Sequence, residues 1–103
     1  MRPEQNTLPE GEVKDEQEIK EPKLYRVILH NDNYTTMDFV IEILISIFHK
    51  PAAEAMRIML DVHKKGKGIC GVYHYDIAAT KVAQVHKLAN RREFPLKCSM
   101  EEA

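Results

Sequence analysis

The sequence lacks several features that would indicate common functional classes. Its 103 residues include no tryptophan and only two cysteines. Cys70 and Cys98 lie far apart and form no Cys-x-x-Cys motif, so neither a disulfide framework nor a cysteine-based zinc site is expected. No apolar run approaches the roughly 18 residues that a membrane-spanning helix needs, and no basic-then-apolar signal segment begins the chain. We therefore expect no membrane association and a cytoplasmic location. An Arg/Ser-rich transit-like start is also missing, which favours a bacterial cytoplasm over a plastid.

Charge and ligand spacing argue against two further classes. The net charge is −1 and the isoelectric point is near 6.5, so no general attraction to nucleic acid is expected. No Gly-rich phosphate loop is present, and the histidines show no metal-ligand spacing with the cysteines. We therefore predict no cofactor and no metal. The five histidines are His30, His49, His63, His74 and His86.

The chain divides into two parts of different composition. Residues 1–23 carry seven acidic and four basic side chains and only four clearly apolar ones. Such a segment buries too little apolar surface to offset its ordering entropy, so we predict a disordered N-terminal extension. Residues 24–103 carry nine acidic and eleven basic side chains and are long enough for one modest hydrophobic core. We predict a single folded domain over residues 24–103.

Periodicity within residues 24–103 predicts an α+β fold. Residues 24–29 and 68–75 are rich in β-branched and aromatic side chains, and residues 96–100 form a short third strand. Thr35 and Asp38 have capping-box spacing and predict Thr35 as the N-cap of a first helix. A second helix follows Pro51 and ends at Gly66, and Asp76 could cap a third. The order β-α-α-β-α-β suggests a three-stranded antiparallel sheet with three helices packed on it.

The turn after the first strand holds an unusual density of hydrogen-bond acceptors. Asn31, Asp32 and Asn33 place two amide oxygens and one carboxylate within three residues, and Met37 follows closely. Such a cluster suits a cation or an ammonium group. Asn and Asp also stabilise ordinary turns, so a purely structural turn explains the pattern equally well.

One histidine has two possible roles. His63 follows Met59 by one helical turn, and a lone histidine on an apolar helix face is usually structural. A neutral imidazole near the Asn/Asp turn could instead accept a hydrogen bond from an ammonium group. An enzyme that uses His63 with Asp32 is a further alternative, although no nucleophile is apparent. Met37, Met56 and Met59 fit either a core or the adaptable lining of a pocket.

With these residues in view, the chain resembles the ClpS family of adaptors for the AAA+ protease Clp. The resemblance covers essentially all of residues 24–103. It rests on YRVILHNDNYTTMDFV at 25–40, MLDVHKKGKGICGV at 59–72, TKV at 80–82 and PL at 95–96. The acidic N-terminal extension also resembles the mobile arm of that family.

The resemblance implies a non-enzymatic adaptor of the N-end rule (N-degron) pathway. Such an adaptor binds proteins that begin with Leu, Phe, Tyr or Trp and delivers them to the Clp ATPase. Its implied partners are these substrates and the N-terminal domain of a ClpA-like or ClpC-like ATPase, which would engage the arm during delivery. The adaptor itself is expected to be a monomer.

The same resemblance assigns roles to individual residues. The substrate amino group would meet Asn31, Asp32, Asn33 and His63. Asp76 and Lys81 would contact the ATPase. Met37 would gate a side-chain pocket, whose other lining residues would be Thr35, Val40, Met59, Val62 and Leu96.

Asn33 departs from the family pattern, since many members have a second Asp there. An amide oxygen still accepts a hydrogen bond but brings no charge, and a charge-assisted bond is roughly twice as strong. The departure bears on ligand affinity more than on ligand class. The alternative outside the resemblance is a protein–protein interaction module without an amino-acid pocket.

Overall fold

A computed structural model describes residues 22–103 of the chain. The predicted extension therefore lies outside the described residues, apart from Pro22 and Lys23 at its end. The Lys23 ammonium lies 2.9 Å from the Glu102 carboxylate. The elements in chain order are β1 (Leu24–His30), α1 (Met37–Ser46), α2 (Ala52–Lys65), β2 (Lys67–His74), α3 (Tyr75–Arg91) and β3 (Lys97–Glu102).

The three strands form one antiparallel sheet in the order β2-β1-β3. The predicted fold class and element order are therefore confirmed. The central strand β1 supplies Val27 and Leu29, which are fully buried, to a core shared with apolar side chains of all three helices. An irregularity between Val27 and Ile28 shifts the pairing with β2. Cys70 and Cys98 belong to this core.

The N-cap of the first helix lies one residue later in the chain than predicted. The Thr36 hydroxyl accepts a hydrogen bond from the Phe39 backbone N–H at 3.1 Å, so Thr36 is the N-cap of α1. The prediction of Thr35 was wrong because the Thr35 hydroxyl is already engaged, donating to Asp32 at 2.7 Å. Thr35 therefore stabilises the turn through its contact with Asp32, and Thr36 caps the helix.

The end of α2 is tied directly to the turn that follows β1. Gly66 adopts φ of +92° and ends the helix as predicted, with its N–H donating to the Val62 carbonyl. A residue with a side chain would be strained in this left-handed conformation. The Gly66 carbonyl then accepts a hydrogen bond from the Asn31 N–H at 2.9 Å. This contact brings the β1–α1 turn beside the last turn of α2.

The third helix is fixed to α1 by a lysine. The Lys81 ammonium donates to the Ile47 carbonyl, just past the end of α1, at 2.7 Å. It also lies 5.7 Å and 5.4 Å from the ring centroids of Phe48 and Tyr73, within cation–π range. Asp76 does not cap α3, because the helix already begins at Tyr75 and no side chain caps it. Asp76 instead lies in the first turn, where a carboxylate complements the helix dipole.

Candidate functional site

The β1–α1 turn, the start of α1 and one face of α2 line a cavity of about 250 Å³ that is open to solvent. We call it the turn cavity. Nine of the ten residues predicted to bind substrate line it. They are Asn31, Asp32, Asn33, Thr35, Met37, Val40, Met59, Val62 and His63. The structure therefore brings together two stretches of the chain separated by some twenty residues.

Polar side chains occupy one side of the turn cavity. Asn31 and Asn33 are exposed on the turn, and His63 is exposed in the last turn of α2. Within residues 22–103, none of these three side chains makes a hydrogen bond to another protein group. Their amide oxygens and the imidazole are thus available to a ligand. The carbonyl end of the α2 dipole also favours a cation here.

Asp32 has a different role from its neighbours. One carboxylate oxygen accepts hydrogen bonds from the N–H groups of Tyr34 at 2.8 Å and Thr35 at 2.7 Å, and the other accepts from the Thr35 hydroxyl. Partial burial of Asp32 opposes ionisation, but these hydrogen bonds outweigh it and hold the pKa of the carboxyl below its usual value. Asp32 is therefore a charged group that shapes the turn and adds negative potential beside the cavity.

This use of Asp32 is the structural turn that the sequence offered as an alternative to a ligand site. The signal was present, because an Asp followed two and three residues later by free N–H groups is typical of an Asx-type turn. The structural interpretation of the turn thus holds for Asp32, while Asn31 and Asn33 keep unpaired side chains.

Apolar side chains form the other side of the turn cavity. Val40, Met59 and Val62 are almost fully buried, whereas Met37 at the start of α1 is 45% exposed. Met37 thus lies where the apolar wall meets solvent. Leu96 is also buried, at 4% exposure, but it belongs to the general core and is not among the residues that line the turn cavity.

The dimensions suit a single amino-acid side chain. A cavity of about 150 Å³ lined by apolar groups is enough to hold benzene. At about 250 Å³ and open to solvent on one side, the turn cavity has room for one leucyl or aromatic side chain. An apolar wall beside unpaired acceptors is the arrangement needed for a ligand with one apolar group next to an ammonium.

The two residues predicted to contact the ATPase lie on α3, away from the turn cavity. Asp76 is exposed near the entry of the chain into β1. Lys81 is half-buried, and its ammonium is engaged by the Ile47 carbonyl and two aromatic rings. Substitution of Lys81 would therefore disturb packing as well as any contact with a partner.

Other candidate chemistry is limited in the part of the chain that the structure describes. Burial raises the pKa of the Cys70 thiol, and it raises the pKa of Cys98 to about 12, so both thiols stay protonated at neutral pH. No three His, Cys, Asp or Glu side chains within residues 22–103 lie close enough to hold a metal ion. The Asp32 carboxylate is not hydrogen-bonded to His63 within the same residues. None of the helices described is long and apolar enough to cross a membrane.

Comparison with known families places this chain in a class of protease adaptors. The family described as "ATP-dependent Clp protease adaptor protein ClpS" matches residues 20–99, which include every described element except the end of β3. The chain belongs to the ClpS family. Recognition of N-end rule substrates fits this family, in agreement with the resemblance noted from the sequence.

Individual relatives agree with this assignment. The ClpS adapter protein of Syntrophus aciditrophicus is 69% identical over 87 residues, covering 84% of this chain and 81% of the relative. That of Acetivibrio thermocellus is 67% identical over 84 residues, covering 82% and 85%. Among solved structures, Agrobacterium tumefaciens ClpS2 bound to L-phenylalaninamide matches with a TM-score of 0.77 and 35% identity, covering 80% of this chain and 99% of that one.

Proposed function

We propose that this adaptor binds proteins whose first residue is Leu, Phe, Tyr or Trp and delivers them to the Clp ATPase for degradation. The observation that carries the proposal is the turn cavity, which places unpaired acceptors on one side and an apolar wall on the other. A relative of known structure binds L-phenylalaninamide, which combines a free α-amine with an aromatic side chain.

The ligand chemistry follows from the two sides of the cavity. An N-terminal α-amine carries a charge and three donors, so it requires several acceptors close together. Asn31, Asn33 and His63 would accept from the amine, and the Asp32 carboxylate would add a favourable field. Capture of an N-terminal amine is a known mode of peptide recognition.

The first side chain would enter the apolar half of the cavity. Val40, Met59 and Val62 would contact it, Met37 would close the mouth, and Thr35 would contribute a methyl group. Leu96 would support this wall from the core. A β-branched first residue would crowd a narrow mouth, so steric exclusion would separate Leu from Val.

Fluorescence anisotropy with labelled peptides tests the proposal. Peptides that begin with Phe or Leu should bind, whereas otherwise identical peptides that begin with Val or Met should not. Equal binding of both sets would contradict recognition of the first residue. Peptides carrying the same side chains at position two would serve as a composition control.

The delivery step requires a second surface, and we place it on α3. Asp76 and Lys81 would contact the N-terminal domain of the ATPase. Asp76 is the cleaner probe, because it is exposed and in the described chain makes no ion pair. Asp76→Lys should weaken ATPase binding in a pull-down or calorimetric titration without changing peptide anisotropy. Unchanged ATPase binding would remove this end of α3 from the interface.

The interaction-module alternative finds support in one observation, the engagement of Asp32 by its own turn. A purely structural turn predicts no dependence on a free peptide amine. The two functions therefore differ in a property that a single chemical modification of the peptide can test.

A further inference from the structure

A second concave surface carries an excess of positive charge. A shallow depression of about 420 Å³ lies between the end of α1 and the second half of α3, and we call it the basic depression. Lys81, Lys87 and Arg91 line it together with His49, and no acidic side chain is among the described residues that do so. Ile47 and Leu88 provide an apolar floor.

The cations of the basic depression have no neutralising partner in the described structure. Neither Lys87 nor Arg91 forms an ion pair within residues 22–103. Lys81 donates to a backbone carbonyl, which carries no net charge. Arg91 complements the dipole of the last turn of α3, but that effect falls off within one turn and does not account for Lys87. The site is therefore suited to an acidic ligand.

An acidic segment is attached to the same chain. Residues 10–21 contain six carboxylates and two lysines, a net charge of −4. Val13 and Ile19 within that segment offer apolar side chains for a floor of Ile47 and Leu88. Charge and apolar content both match the basic depression.

Residues 10–21 are long enough to reach the basic depression from the point where they join the folded domain. Pro22 lies beside Tyr75 and Asp76, so the N-terminal segment joins the domain at the first turn of α3. Lys87 is twelve residues further along that helix, or about 18 Å at the usual rise. Twelve extended residues span up to about 40 Å, so residues 10–21 can reach along α3 to its second half.

We propose that residues 10–21 of this chain bind in the basic depression of the same molecule. The bound segment would lie over Lys81 and so cover part of the α3 surface proposed above for the ATPase. Binding itself does not depend on that proposed function. Because a tethered segment is present at an effective concentration on the order of 1 mM, even weak contacts would hold it there for much of the time.

Paramagnetic relaxation enhancement in the full chain tests the proposal. A spin label is attached at Gln17→Cys, since the two native thiols are buried and react slowly. At about 0.02 M salt, the amide signals of Lys87, Leu88 and Arg91 should be attenuated about twofold or more relative to Lys64 on α2. At about 0.5 M salt the attenuation should disappear, because the Debye length falls to a few ångströms.

Charge reversal provides the matched control. Lys87→Glu combined with Arg91→Glu should abolish the attenuation, while Lys64→Glu combined with Lys97→Glu makes the same change of net charge elsewhere and should preserve it. Attenuation that is uniform over the surface, independent of salt or unchanged by the α3 double variant would overturn the proposal.

Two other occupants of the basic depression give distinct outcomes. If a second copy supplies the segment, attenuation is seen when spin-labelled protein is mixed with isotope-labelled protein that lacks the spin label. If the ATPase alone occupies the surface, the α3 double variant weakens ATPase binding although no attenuation is present in the free adaptor. Either outcome overturns intramolecular binding. Peptide anisotropy, which reports on the turn cavity, should be unchanged in the α3 double variant, whose substitutions lie outside that cavity.

Discussion

The turn cavity and a larger groove differ in what their charged and polar groups are already bound to. The groove has a volume of about 650 Å³ and lies between α2 and the strands β1 and β2. Arg57 lies 3.4 Å from Glu54 and 3.6 Å from Asp61, and Lys65 lies 3.5 Å from Asp61. Arg26 pairs with Glu101 across neighbouring strands. The turn cavity is less than half as large, yet its Asn31, Asn33 and His63 side chains have no internal partner in the described chain.

This difference shows why volume alone does not identify a binding site in a small domain. In the groove, opposite charges sit one helical turn apart and satisfy one another, as surface ion pairs on a helix commonly do. A ligand that bound these paired charges would have to displace an existing contact for each one that it makes. In the turn cavity, an ammonium would gain contacts that the protein does not otherwise make, beside an apolar wall.

Blocking the peptide amine should produce the largest effect and is the strongest test of the contrast. Acetylation of a Phe-initiated peptide removes the charge and two donors, and each charged hydrogen bond is worth about 1.5–3 kcal/mol. Affinity should therefore fall about 100-fold or more in fluorescence anisotropy. If the acetylated peptide binds as well as the free one, the unpaired acceptors are not the recognition site and the interaction-module alternative is favoured.

Alanine substitutions in the two regions should have unequal effects. Asn31→Ala and His63→Ala should each weaken peptide binding by roughly 1–3 kcal/mol, because the bound amine loses a hydrogen-bond partner. Arg57→Ala in the groove is the matched control, since it removes an exposed polar side chain from the same helix as His63 and should leave affinity unchanged. Circular dichroism would verify that each variant folds. Equal losses of peptide affinity from the turn-cavity and groove variants would contradict the proposed difference between the two regions.

Adding a charge to the turn should strengthen binding. Asn33→Asp changes a neutral acceptor into a carboxylate, and a charge-assisted hydrogen bond is about twice as strong as a neutral one. Affinity for a Phe-initiated peptide should rise a few-fold, on the order of 1 kcal/mol or less, and the gain should shrink with added salt. Glu54→Gln in the groove changes the net charge by one unit in the opposite direction and should not affect binding. Weaker binding by Asn33→Asp would indicate that Asn33 does not face the amine.

Much of this architecture could be predicted from local sequence pattern. The strand after Lys23, the helix stop at Gly66 and the element order depend on periodicity and on a left-handed glycine, which are local signals. The grouping of residues 31–40 with residues 59–63 depends on a tertiary contact between Asn31 and Gly66. Periodicity carries no information about that contact, so the grouping came from the family resemblance.

The contacts that the sequence did not predict have one cause: two different neighbours can use the same side chain. Thr35 and Thr36 are both good caps, and the choice between them depends on where the Asp32 carboxylate lies. Lys81 was assigned to a partner surface, but its ammonium also bonds a carbonyl 34 residues away in sequence. Leu96 is predicted for the cavity wall, and it is buried in the general core and not among the lining residues. Each outcome is decided by neighbours that only the folded chain brings into contact.

The smallest predicted effect concerns the pH dependence of stability and tests whether Asp32 serves the turn. The folded-state pKa of Asp32 lies below its ordinary value, so the unfolded chain binds a proton more readily. Its contribution to the free energy of unfolding should therefore be fully present above about pH 4 and should be lost as pH falls through the lower, folded-state pKa.

Asp32→Asn keeps one acceptor oxygen for the Thr35 N–H but removes the charge. Urea unfolding should show wild-type protein more stable than Asp32→Asn at pH 7 by about 1 kcal/mol or less, with the difference shrinking as pH falls through the folded-state pKa of Asp32. Asp61→Asn, whose carboxylate pairs with exposed cations of the groove, is the control and should give a smaller difference because exposed ion pairs contribute little. A difference for Asp32→Asn that persists unchanged at low pH would mean that shape, and not the charge of the carboxylate, holds the turn.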